Sequence, residues 1–432
     1  MKHYNKKIGI IGLGYVGMPL AYLSASKGFD VIGIDNNLST IELINKRKNV
    51  PCELKEILNN KKSINLIATS DYKALSDRDI IIICVPTPTI NNQPDLTILK
   101  SVMNELSKYI SKGCLLIIES TIAPGMTKKY IEEYLLINAS LKVNIDYGLA
   151  YCPERIDPGN KNYWVGNINR VCGASSKDSL KKTYEFYNKI IDAKIIPMNS
   201  IEEAELVKVW ENSMRNISIA QANLLAILCD KYNFSIDTLM DGLNSKIEQF
   251  GLSLAYPGLG PGGHCIPEDI HYLIDTTEKN IKIDMQMLKE SVKINENMPQ
   301  YAYDKLKTII NSNGYNFSKM NVLMLGISYK ANTSDVRRSQ AKVLYDIIIK
   351  DNNKLTLIDP FVNNYDSEIN INTILESELN KADIVIISCP HDIFLKIDYP
   401  KYKNIKCILD CWNKLESKKI HNSGIIYIGI GK

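Results

Sequence analysis

At 432 residues the chain is longer than one hydrophobic core usually supports, so two or three domains are expected. Hydrophobic residues make up 45% of it, which excludes wholesale disorder, and the net charge of +4 argues against a dedicated nucleic-acid or membrane-surface protein. Ten cysteines stand singly without a C-x-x-C pair, so no metal site is expected and a reducing compartment is favoured. There is no room for a signal peptide before the first strand-like run, and no apolar run approaches the ~20 residues of a membrane span. We therefore expect a soluble cytoplasmic protein.

The first section of the chain alternates strand-like and helix-like segments. A helical pattern at 19–27 separates the first two strand-like runs. Strands separated by helices imply a parallel sheet covered on both faces. The apolar, β-branched runs predict strands at 7–13, 30–34, 79–85, 114–118 and 147–151.

A helical section follows, and the last section then returns to alternation. Residues 201–229 contain neither glycine nor proline and are typical of one long helix. From about Lys319 onward, strands are predicted at 321–325, 354–358, 382–388 and 406–409. The plan is therefore an α/β section, a helical connector and a second α/β section.

A glycine-rich turn, Gly12-Leu13-Gly14-Tyr15-Val16-Gly17, follows the first strand and opens a helix. The first glycine allows a tight turn, the second lets a pyrophosphate approach and the third permits close packing of helix on strand. The helix N-terminus offers N–H groups and a positive dipole to phosphates. Asp35 ends the second strand, where a carboxylate suits two ribose hydroxyls and would repel a 2′-phosphate, so NAD is favoured over NADP. A packing turn without a ligand is the alternative.

The last section lacks such a fingerprint, because its first strand ends in the single Gly326, followed by bulky residues. Lys330, Arg337 and Arg338 instead offer a cationic rim, tempered by Asp335, that suits the phosphates of a nucleotide substrate. A solvated surface patch is the alternative. We predict an α/β fold with two Rossmann-like, doubly wound parallel-sheet domains at 1–199 and 301–432. A central helical domain at 200–300 joins them.

Cys265 lies in the loop 256–269, which has four glycines in the six positions from Gly258 to Gly263. Glycine lets a ligand approach the backbone closely. The adjacent His264 and the downstream Asp269 could handle protons near a thiolate nucleophile. A buried, inert cysteine is the alternative.

On the long helix, Lys208 and Asn212 are four residues apart and share a face, where they could stabilise an oxyanion. A solvated helix face is the alternative, and spacing alone favours it. An apolar stripe on another face is interpreted as core: Val207, Trp210, Met214 and Ile217.

Two predicted strands end in polar residues, one before Thr121 and the other before Glu154. In an open parallel sheet, ligands gather beyond the carboxyl ends of the strands. Both side chains are therefore candidates for the site. A salt bridge or a cap would explain Glu154 nearly as well.

Together these motifs resemble the UDP-glucose/GDP-mannose dehydrogenase family, the NAD-dependent four-electron nucleotide-sugar dehydrogenases. The resemblance runs from Lys7 to about Asn413. Its motifs appear in family order: Gly12–Gly17, Val85–Pro88, Ser120–Thr121, Pro153–Arg155, Glu205–Asn212, Gly262–Cys265 with Asp269, and Lys330–Ser339.

The resemblance implies a role for each matching residue. Cys265 is the expected nucleophile, and the other implied catalytic residues are Lys208, Asn212, Asp269, Glu154 and Thr121. The implied NAD contacts are Gly12, Gly14, Tyr15, Val16, Gly17, Asp35, Pro86, Thr87, Thr121 and Lys330. The implied UDP-sugar contacts are Glu154, Arg155, Lys208, Asn212, Arg215, Tyr256, Gly258, Gly262, His264, Lys330 and Arg337. A homodimer or higher homo-oligomer is also implied.

The implied substrate is a UDP-N-acetylhexosamine, since 154–160, 211–215 and 262–267 look more like those members of the family. UDP-glucose enzymes usually carry serine where His264 stands and lysine where Glu268 stands. The segment 157–160 favours UDP-N-acetylglucosamine over UDP-N-acetylmannosamine, with UDP-glucose a further alternative. Arg338 and Gln340 also depart from the pattern, replacing a common glutamate and a common proline.

Two rivals come from other classes of protein. One is a non-catalytic NAD-binding scaffold, against which the intact Cys265, Lys208 and Asn212 argue. The other is a two-electron dehydrogenase, which would need neither the cysteine nor the second α/β domain. The resemblance further implies that the uronic acid product serves surface polysaccharide synthesis.

Overall fold

The computed structural model of the chain describes residues 6–48, 55, 64–156, 163–247, 254–352, 354–362 and 371–432. The chain divides into two compact units, Met1–Glu211 with His271–Ile283, and Asn212–Ile270 with Asp284–Lys432. The three-domain boundaries expected from the sequence stay a prediction.

The first unit is built around an eight-stranded sheet. Within its described part the strands are β1 Lys7–Ile11, β2 Asp30–Ile34, β3 Leu66–Thr69, β4 Ile80–Ile83, β5 Thr89–Ile90, β6 Gln93–Pro94, β7 Leu115–Ile118, β8 Gly148–Tyr151, β9 Arg170–Ala174 and β10 Ile195–Pro197. The large sheet has the order β10-β9-β8-β7-β4-β1-β2-β3, and β5 pairs with β6 apart from it. Neighbours in the large sheet run parallel except β8 and β9.

Helices connect these strands and form the core with them. They are α1 Gly17–Ser26, α2 Leu38–Asn45, α3 Thr97–Leu106, α4 Glu133–Ala139 and α5 Lys177–Ile190. The central strands are almost wholly apolar, and all four residues of β4 are buried. One buried cluster joins Ile8, Val31 and Ile82 of the sheet to Leu20 of α1 and Phe186 of α5. Parallel strands buried in this way present their carboxyl ends along one edge.

The chain passes to the second unit within the long helix α6, Ile201–Tyr232. Further helices are α7 Ile236–Ile247, α8 Ile266–Thr276, α9 Gln286–Glu296, α10 Met298–Ser312, α11 Gln340–Asp351, α12 Ile371–Leu379, α13 Asp392–Leu395 and α14 Ser417–His421. A five-stranded parallel sheet has the order β12-β11-β13-β14-β15. Its strands are β11 Val322–Leu325, β12 Leu355–Ile358, β13 Ile384–Ile387, β14 Cys407–Asp410 and β15 Ile426–Gly429.

The fold class predicted from the sequence is confirmed, with two parallel-sheet α/β regions and a long helix between them in the chain. The antiparallel strand β9 was not among the predicted strands. The core interpretation of the stripe on α6 is wrong for Trp210 and Met214, which are 46% and 59% exposed. Within the described ranges, none of the helices has both the length and the apolar character needed to cross a membrane.

Candidate active site

The glycine turn after β1 has the geometry that a dinucleotide needs. Gly12 has φ +88°, in the left-handed region that side chains disfavour. A Cβ on Gly17 would lie 1.8 Å from the carbonyl oxygen of Gly12, so only glycine fits there. A Cβ on Gly14 would meet nothing within 4 Å, which leaves space for a phosphate. The N-cap residue of α1, Val16, makes no side-chain capping hydrogen bond, and the helix N-terminus follows directly on this turn.

Asp35 lies beside this turn, directly after β2. One carboxylate oxygen accepts the backbone N–H of Leu13 at 2.7 Å, and the other accepts that of Asn37 at 2.8 Å. The carboxylate is thereby fixed next to the turn, while the remaining lone pairs can accept ribose hydroxyls. The residues present therefore fit a dinucleotide that lacks a 2′-phosphate.

The ends of β4 and β7 are tied together by hydroxyl groups. Ser120 donates its hydroxyl to the carbonyl of Val85 at 2.7 Å, and Thr87 donates to the carbonyl of Thr121 at 2.6 Å. The Thr87 carbonyl in turn accepts the Tyr272 hydroxyl at 3.0 Å. Thr87 and Thr121 therefore lie together at the carboxyl ends of the strands, the edge of the sheet where ligands were expected.

Glu154, which follows β8, is a buried carboxyl group with 9% exposure. Burial raises the pKa of Glu154, and the charges of Lys208 and Arg170 lower it in part. Its carboxylate also accepts the backbone N–H of Ile156, so the cap that was left open as an alternative is present alongside the charge of Lys208. A buried carboxyl group with a raised pKa is a candidate for general acid–base catalysis.

Lys208 is buried, with 5% exposure, so the solvated-face alternative is wrong for this lysine. Arg155, by contrast, is held by the carboxylate of Glu211 and donates to the carbonyl of Asn169 at 3.0 Å. All three guanidinium nitrogens of Arg155, predicted to bind substrate, thus already donate to protein acceptors. Lys208 offers the site a buried cation, and Arg155 serves first to fix the segment after β8.

A buried ion pair lies at the end of β7. Arg170 of β9 lies 2.9 Å from the carboxylate of Glu119, and both side chains are fully buried. Tyr187 donates its hydroxyl to Glu119, and the Arg170 guanidinium stacks over the Tyr187 ring. Because Glu119 directly precedes Ser120, this cluster fixes the backbone that carries Thr121.

In the second unit, the loop before α8 is packed so closely that glycine is required. A Cβ on Gly258 would lie 2.7 Å from the Trp412 ring, and one on Gly262 would lie 2.6 Å from the Cβ of Tyr329. Gly263, with φ +82°, packs on the same tyrosine ring. The protein's own side chains thus account for these glycines. Contact of Gly258 and Gly262 with a sugar stays a prediction.

Cys265 immediately precedes α8, and its thiol is half-buried, unlike an inert core cysteine. Its carbonyl accepts the backbone N–H of Asp269 at 2.8 Å, which closes the first turn of the helix. The Asp269 carboxylate accepts the side-chain amide of Asn212 at 2.5 Å, and both residues are buried. Three of the predicted catalytic residues are therefore brought together: Cys265, Asp269 and Asn212.

The segment between β11 and α11 carries the predicted cationic rim. Asp335 binds the guanidinium of Arg337, with a shortest distance of 2.6 Å, so the acid does temper this cation. Burial would raise the pKa of Asp335, but the hydrogen bonds and charge of Arg337, with a smaller contribution from His264, lower it overall. Lys330 lies partly buried in the same segment, which is closed by a hydrogen bond from Tyr329 N–H to the Asp335 carbonyl at 2.9 Å.

The three departures from the family pattern meet around the cysteine loop. Arg338 Nε donates to Glu268 at 3.2 Å, so Arg338 contributes to an ion pair and only in part to the rim. Gln340 donates its amide to the carbonyl of Pro261 at 3.3 Å. Two of the residues that depart from the expected pattern, Glu268 and Arg338, thus form an ion pair with each other.

The remaining predicted residues are less informative. Tyr256 donates its hydroxyl to Asp237, and Arg215 is exposed on α6. The substrate-preference segment 157–160 lies outside the described residues. Tyr15 is 62% exposed beside Gly14, Val16 is the residue before α1, and Pro86 is exposed in the segment after β4.

Sequence reasoning missed two buried acids. Glu205 accepts the backbone N–H groups of Gly125 at 2.6 Å and Thr127 at 2.8 Å. Asp359, directly after β12, accepts the N–H groups of Ile327 and Ser328 and contacts His391 Nε2 at 3.1 Å. A strand that ends in aspartate, as at Asp35, was the available signal for Asp359.

Asp359 repeats the role of Asp35 toward its turn, but it is fully buried and faces His391 rather than open space. The second sheet therefore lacks an exposed ribose-binding carboxylate at this position. Among the side chains that the structure describes, no cluster of three or more His, Cys, Asp or Glu could hold a metal ion.

The chain was compared with protein families and with known proteins. Models of the UDP-glucose/GDP-mannose dehydrogenase family match residues 6–191 as NAD-binding domain, 202–297 as central domain and 323–417 as UDP-binding domain. A UDP-N-acetyl-D-mannosamine dehydrogenase of Pyrococcus horikoshii is 31% identical over 99% of both chains. A UDP-N-acetyl-D-glucosamine 6-dehydrogenase of Salmonella typhi is 31% identical over 90% of both.

A solved structure agrees with these sequence relatives. The UDP-D-ManNAc dehydrogenase from P. horikoshii superposes with a TM-score of 0.87 at 30% identity, covering 98% of this chain and 99% of the other. The chain therefore belongs to the UDP-glucose/GDP-mannose dehydrogenase family and is an NAD-dependent nucleotide-sugar 6-dehydrogenase.

Proposed function

We propose that the chain oxidises the C6 hydroxyl of a UDP-N-acetylhexosamine to the carboxylate through a covalent intermediate on Cys265. The observation that carries this proposal is the half-buried thiol at the start of α8, one helical turn before the buried Asp269–Asn212 pair. A purely structural cysteine would not need two buried polar side chains one helical turn away.

NAD is proposed to bind at the Gly12–Gly17 turn, with its pyrophosphate at Gly14 and the N-terminus of α1, and a ribose at Asp35. Thr87, Thr121, Tyr15, Val16 and Pro86 would line the same edge of the sheet. Bound NAD would accept the hydride in each of the two oxidations. The part of the protein is to hold the reacting carbon and to move protons.

Cys265 is proposed to act between the two oxidations. Its sulfur adds to the C6 aldehyde, so a C–S bond forms and the carbonyl oxygen becomes the oxygen of a thiohemiacetal. Loss of hydride from that carbon gives a thioester. Water then breaks the C–S bond, which releases the carboxylate and the free thiol. The covalent step is required because a bare aldehyde has no hydride-donating form until a nucleophile adds to it.

Lys208 and Asn212, one helical turn apart on α6, are proposed to stabilise the oxyanion of the thiohemiacetal. Asp269 holds the Asn212 amide through the hydrogen bond between them. Glu154, whose pKa burial raises, would accept a proton from the hydrolytic water, with Thr121 positioning that water.

The UDP group is proposed to bind the second α/β region, with Lys330 and Arg337 contacting phosphates. The family match names this part of the chain a UDP-binding domain. The buried position of Asp359 supports this division, because a second dinucleotide would need an exposed carboxylate there.

For the sugar, UDP-N-acetylmannosamine is the first candidate, because the P. horikoshii relative that carries this name matches over 99% of both chains. UDP-N-acetylglucosamine, which segment 157–160 favours, is the second, since the S. typhi relative is as similar in identity. The test is an NADH assay with both of these substrates and UDP-glucose. A kcat/KM for UDP-glucose that exceeds both N-acetyl substrates would overturn the N-acetylhexosamine proposal.

A second copy of the chain is the proposed protein partner. Apolar side chains recur on one exposed face of α6, and a single exposed helix face of this kind is typical of a protein interface. They are Leu206, Trp210, Met214, Leu224 and Leu228, each between 42% and 59% exposed. A reducing compartment such as the cytoplasm is proposed because the thiol must stay free to react, and the nine described cysteines are all free.

A further inference from the structure

The ion pair between Arg338 and Glu268 has no part in the chemistry proposed above, yet it lies at the start of the helix that Cys265 opens. Glu268 is three residues after Cys265, and its backbone N–H donates to the Cys265 carbonyl at 3.1 Å. Residues three apart on a helix are neighbours, with Cβ atoms about 5–6 Å apart. A carboxylate therefore lies close to the position where a thiolate must form.

A negative charge beside a thiol disfavours the thiolate, and the N-terminus of α8 favours it. Glu268 and Asp269 both lie in the first turn. Their negative charges reduce the stabilisation that the helix dipole would give a thiolate. Asp269 is held by the Asn212 amide, which is neutral. Glu268 is held by Arg338, whose guanidinium carries a full positive charge. The charge of Glu268 is therefore offset by a cation bound directly to its carboxylate.

Three further features fix Arg338 in place. Its backbone has φ +46°, a conformation that a non-glycine residue keeps only when its surroundings impose it. The preceding carbonyl, that of Arg337, accepts the Gly263 N–H at 3.0 Å, and the Gln340 amide donates to Pro261. The Glu268 side chain is 11% exposed and that of Arg338 is 30% exposed, so water screens their interaction only partly.

Other charged groups on neighbouring segments of the chain are Asp335, Arg337, Glu296, Lys330 and Lys208. Asp335 binds Arg337 and also interacts with His264. Burial raises the pKa of Glu296 on α9, and Arg338 lowers it. Lys330 lies in the same segment as Arg337, and Lys208 lies one turn before Asn212 on α6. Arg338 is thus placed between two carboxyl groups, Glu268 and Glu296.

We propose that Arg338 is a positioning residue that neutralises Glu268 and thereby keeps the thiol of Cys265 reactive. The proposal rests on the assignment of Cys265 as the nucleophile. It explains why an acid is tolerated three residues after the nucleophile: the cation 70 positions later in the chain offsets its charge.

The test measures the thiolate directly, without substrate. The full-length protein is alkylated with iodoacetamide between pH 5.5 and 10, and modification of the Cys265 peptide is followed by mass spectrometry. Buried thiols give little background, because burial raises the pKa of Cys114, Cys389 and Cys407 to about 12. Cys265→Ser defines the remaining background.

Arg338→Gln is expected to raise the midpoint of the alkylation profile by about one pH unit, so that the rate at pH 7 falls about tenfold. Glu268→Gln is expected to lower the midpoint, and Arg338→Gln with Glu268→Gln to abolish the rise. Arg338→Lys keeps the charge and is expected to stay within about 0.3 unit of the parent. Lys342→Gln removes a cation from an exposed pair with Asp346 on α11 and serves as the matched control.

An unchanged midpoint in Arg338→Gln, or equal midpoints in Arg338→Gln and the double variant, would overturn the proposal. If Arg338→Gln does not fold, Glu268→Gln decides: a midpoint that fails to fall shows that Glu268 exerts no field on the thiol. Failure of the proposed function is recognised separately: turnover would then persist in Cys265→Ser.

Discussion

Buried ionisable side chains determine the chemistry of the proposed site. Each has a partner that lowers the free-energy cost of burying it. Glu154 has the charge of Lys208, Asp269 has the Asn212 amide and Glu268 has Arg338. An isolated buried charge would cost several kcal/mol, so the partner of each group lowers the cost of burying it. The spacing of Lys208 and Asn212 was visible in the sequence, but their burial was not, because one helix does not reveal what covers it.

Lys208→Met is expected to lower kcat by about 10²–10³-fold, because a buried cation that stabilises an oxyanion would be lost. Lys208 also lowers the pKa of Glu154, so its removal leaves that pKa higher. The pH at which activity rises should therefore move upward in the variant. Steady-state kinetics from pH 6 to 9 measure both effects.

The matched control for this variant is Lys231→Met, since Lys231 is an exposed lysine on the same helix. Equal loss of kcat in both lysine variants, or an unshifted pH profile in Lys208→Met, would contradict the role given to Lys208.

At the scale of elements, the start of α6 is joined to the turn after β7 by one side chain. Glu205 accepts two backbone N–H groups of that turn and is fully buried. Burial raises the pKa of Glu205 to about 7, although hydrogen bonds from Thr127 and Gly125 act in the opposite direction. The turn follows Thr121, so this contact helps to fix the end of the strand.

Stability should fall between pH ~4.5 and ~7 because of Glu205. The folded state keeps its proton in this range while the unfolded state loses it, so a rise in pH favours unfolding by up to about 3 kcal/mol. Glu205→Gln cannot ionise and should lack this decline. Urea unfolding of both proteins at pH 5 and pH 8 measures the difference.

Glu185→Gln, a change at an exposed glutamate on α5, is the control for that experiment. A stability gap between Glu205→Gln and the parent that is the same at both pH values would show that Glu205 does not titrate in this range.

Most central strands could be predicted because their residues are continuously apolar, and β2 has the predicted bounds Asp30–Ile34. Strand β9 was missed because it begins with Arg170, and a charge is normally read as exposed. Its partner Glu119 lies 51 residues earlier and becomes visible only when the strands are side by side. The Glu268–Arg338 pair escaped prediction for the same reason.

At the scale of the whole molecule, α6 has an exposed apolar face, although apolar side chains are normally buried. The sequence pattern was correctly seen as an apolar stripe, but helical spacing cannot distinguish a core face from an interface between copies. Trp210 and Met214, 46% and 59% exposed, favour the interface.

Trp210→Asp with Met214→Asp is expected to convert the oligomer to monomer, because two charges would be buried unpaired in the interface. Sedimentation velocity measures the change. Ile137→Asp, which places a charge at a 77% exposed isoleucine on α4, should leave the oligomer intact. A parent protein that sediments as a monomer, or a double variant that stays oligomeric, would contradict this use of the helix.

The Cys265 thiol is proposed to hold the sugar between two oxidations. The most direct test is the ratio of NADH formed to UDP-N-acetylhexosamine consumed, with the acid product identified by mass spectrometry, in the parent and in Cys265→Ser. We expect two NADH and one uronic acid per substrate in the parent, and no free acid in the variant. One NADH per substrate with an aldehyde product, or full acid formation without the thiol, would contradict it.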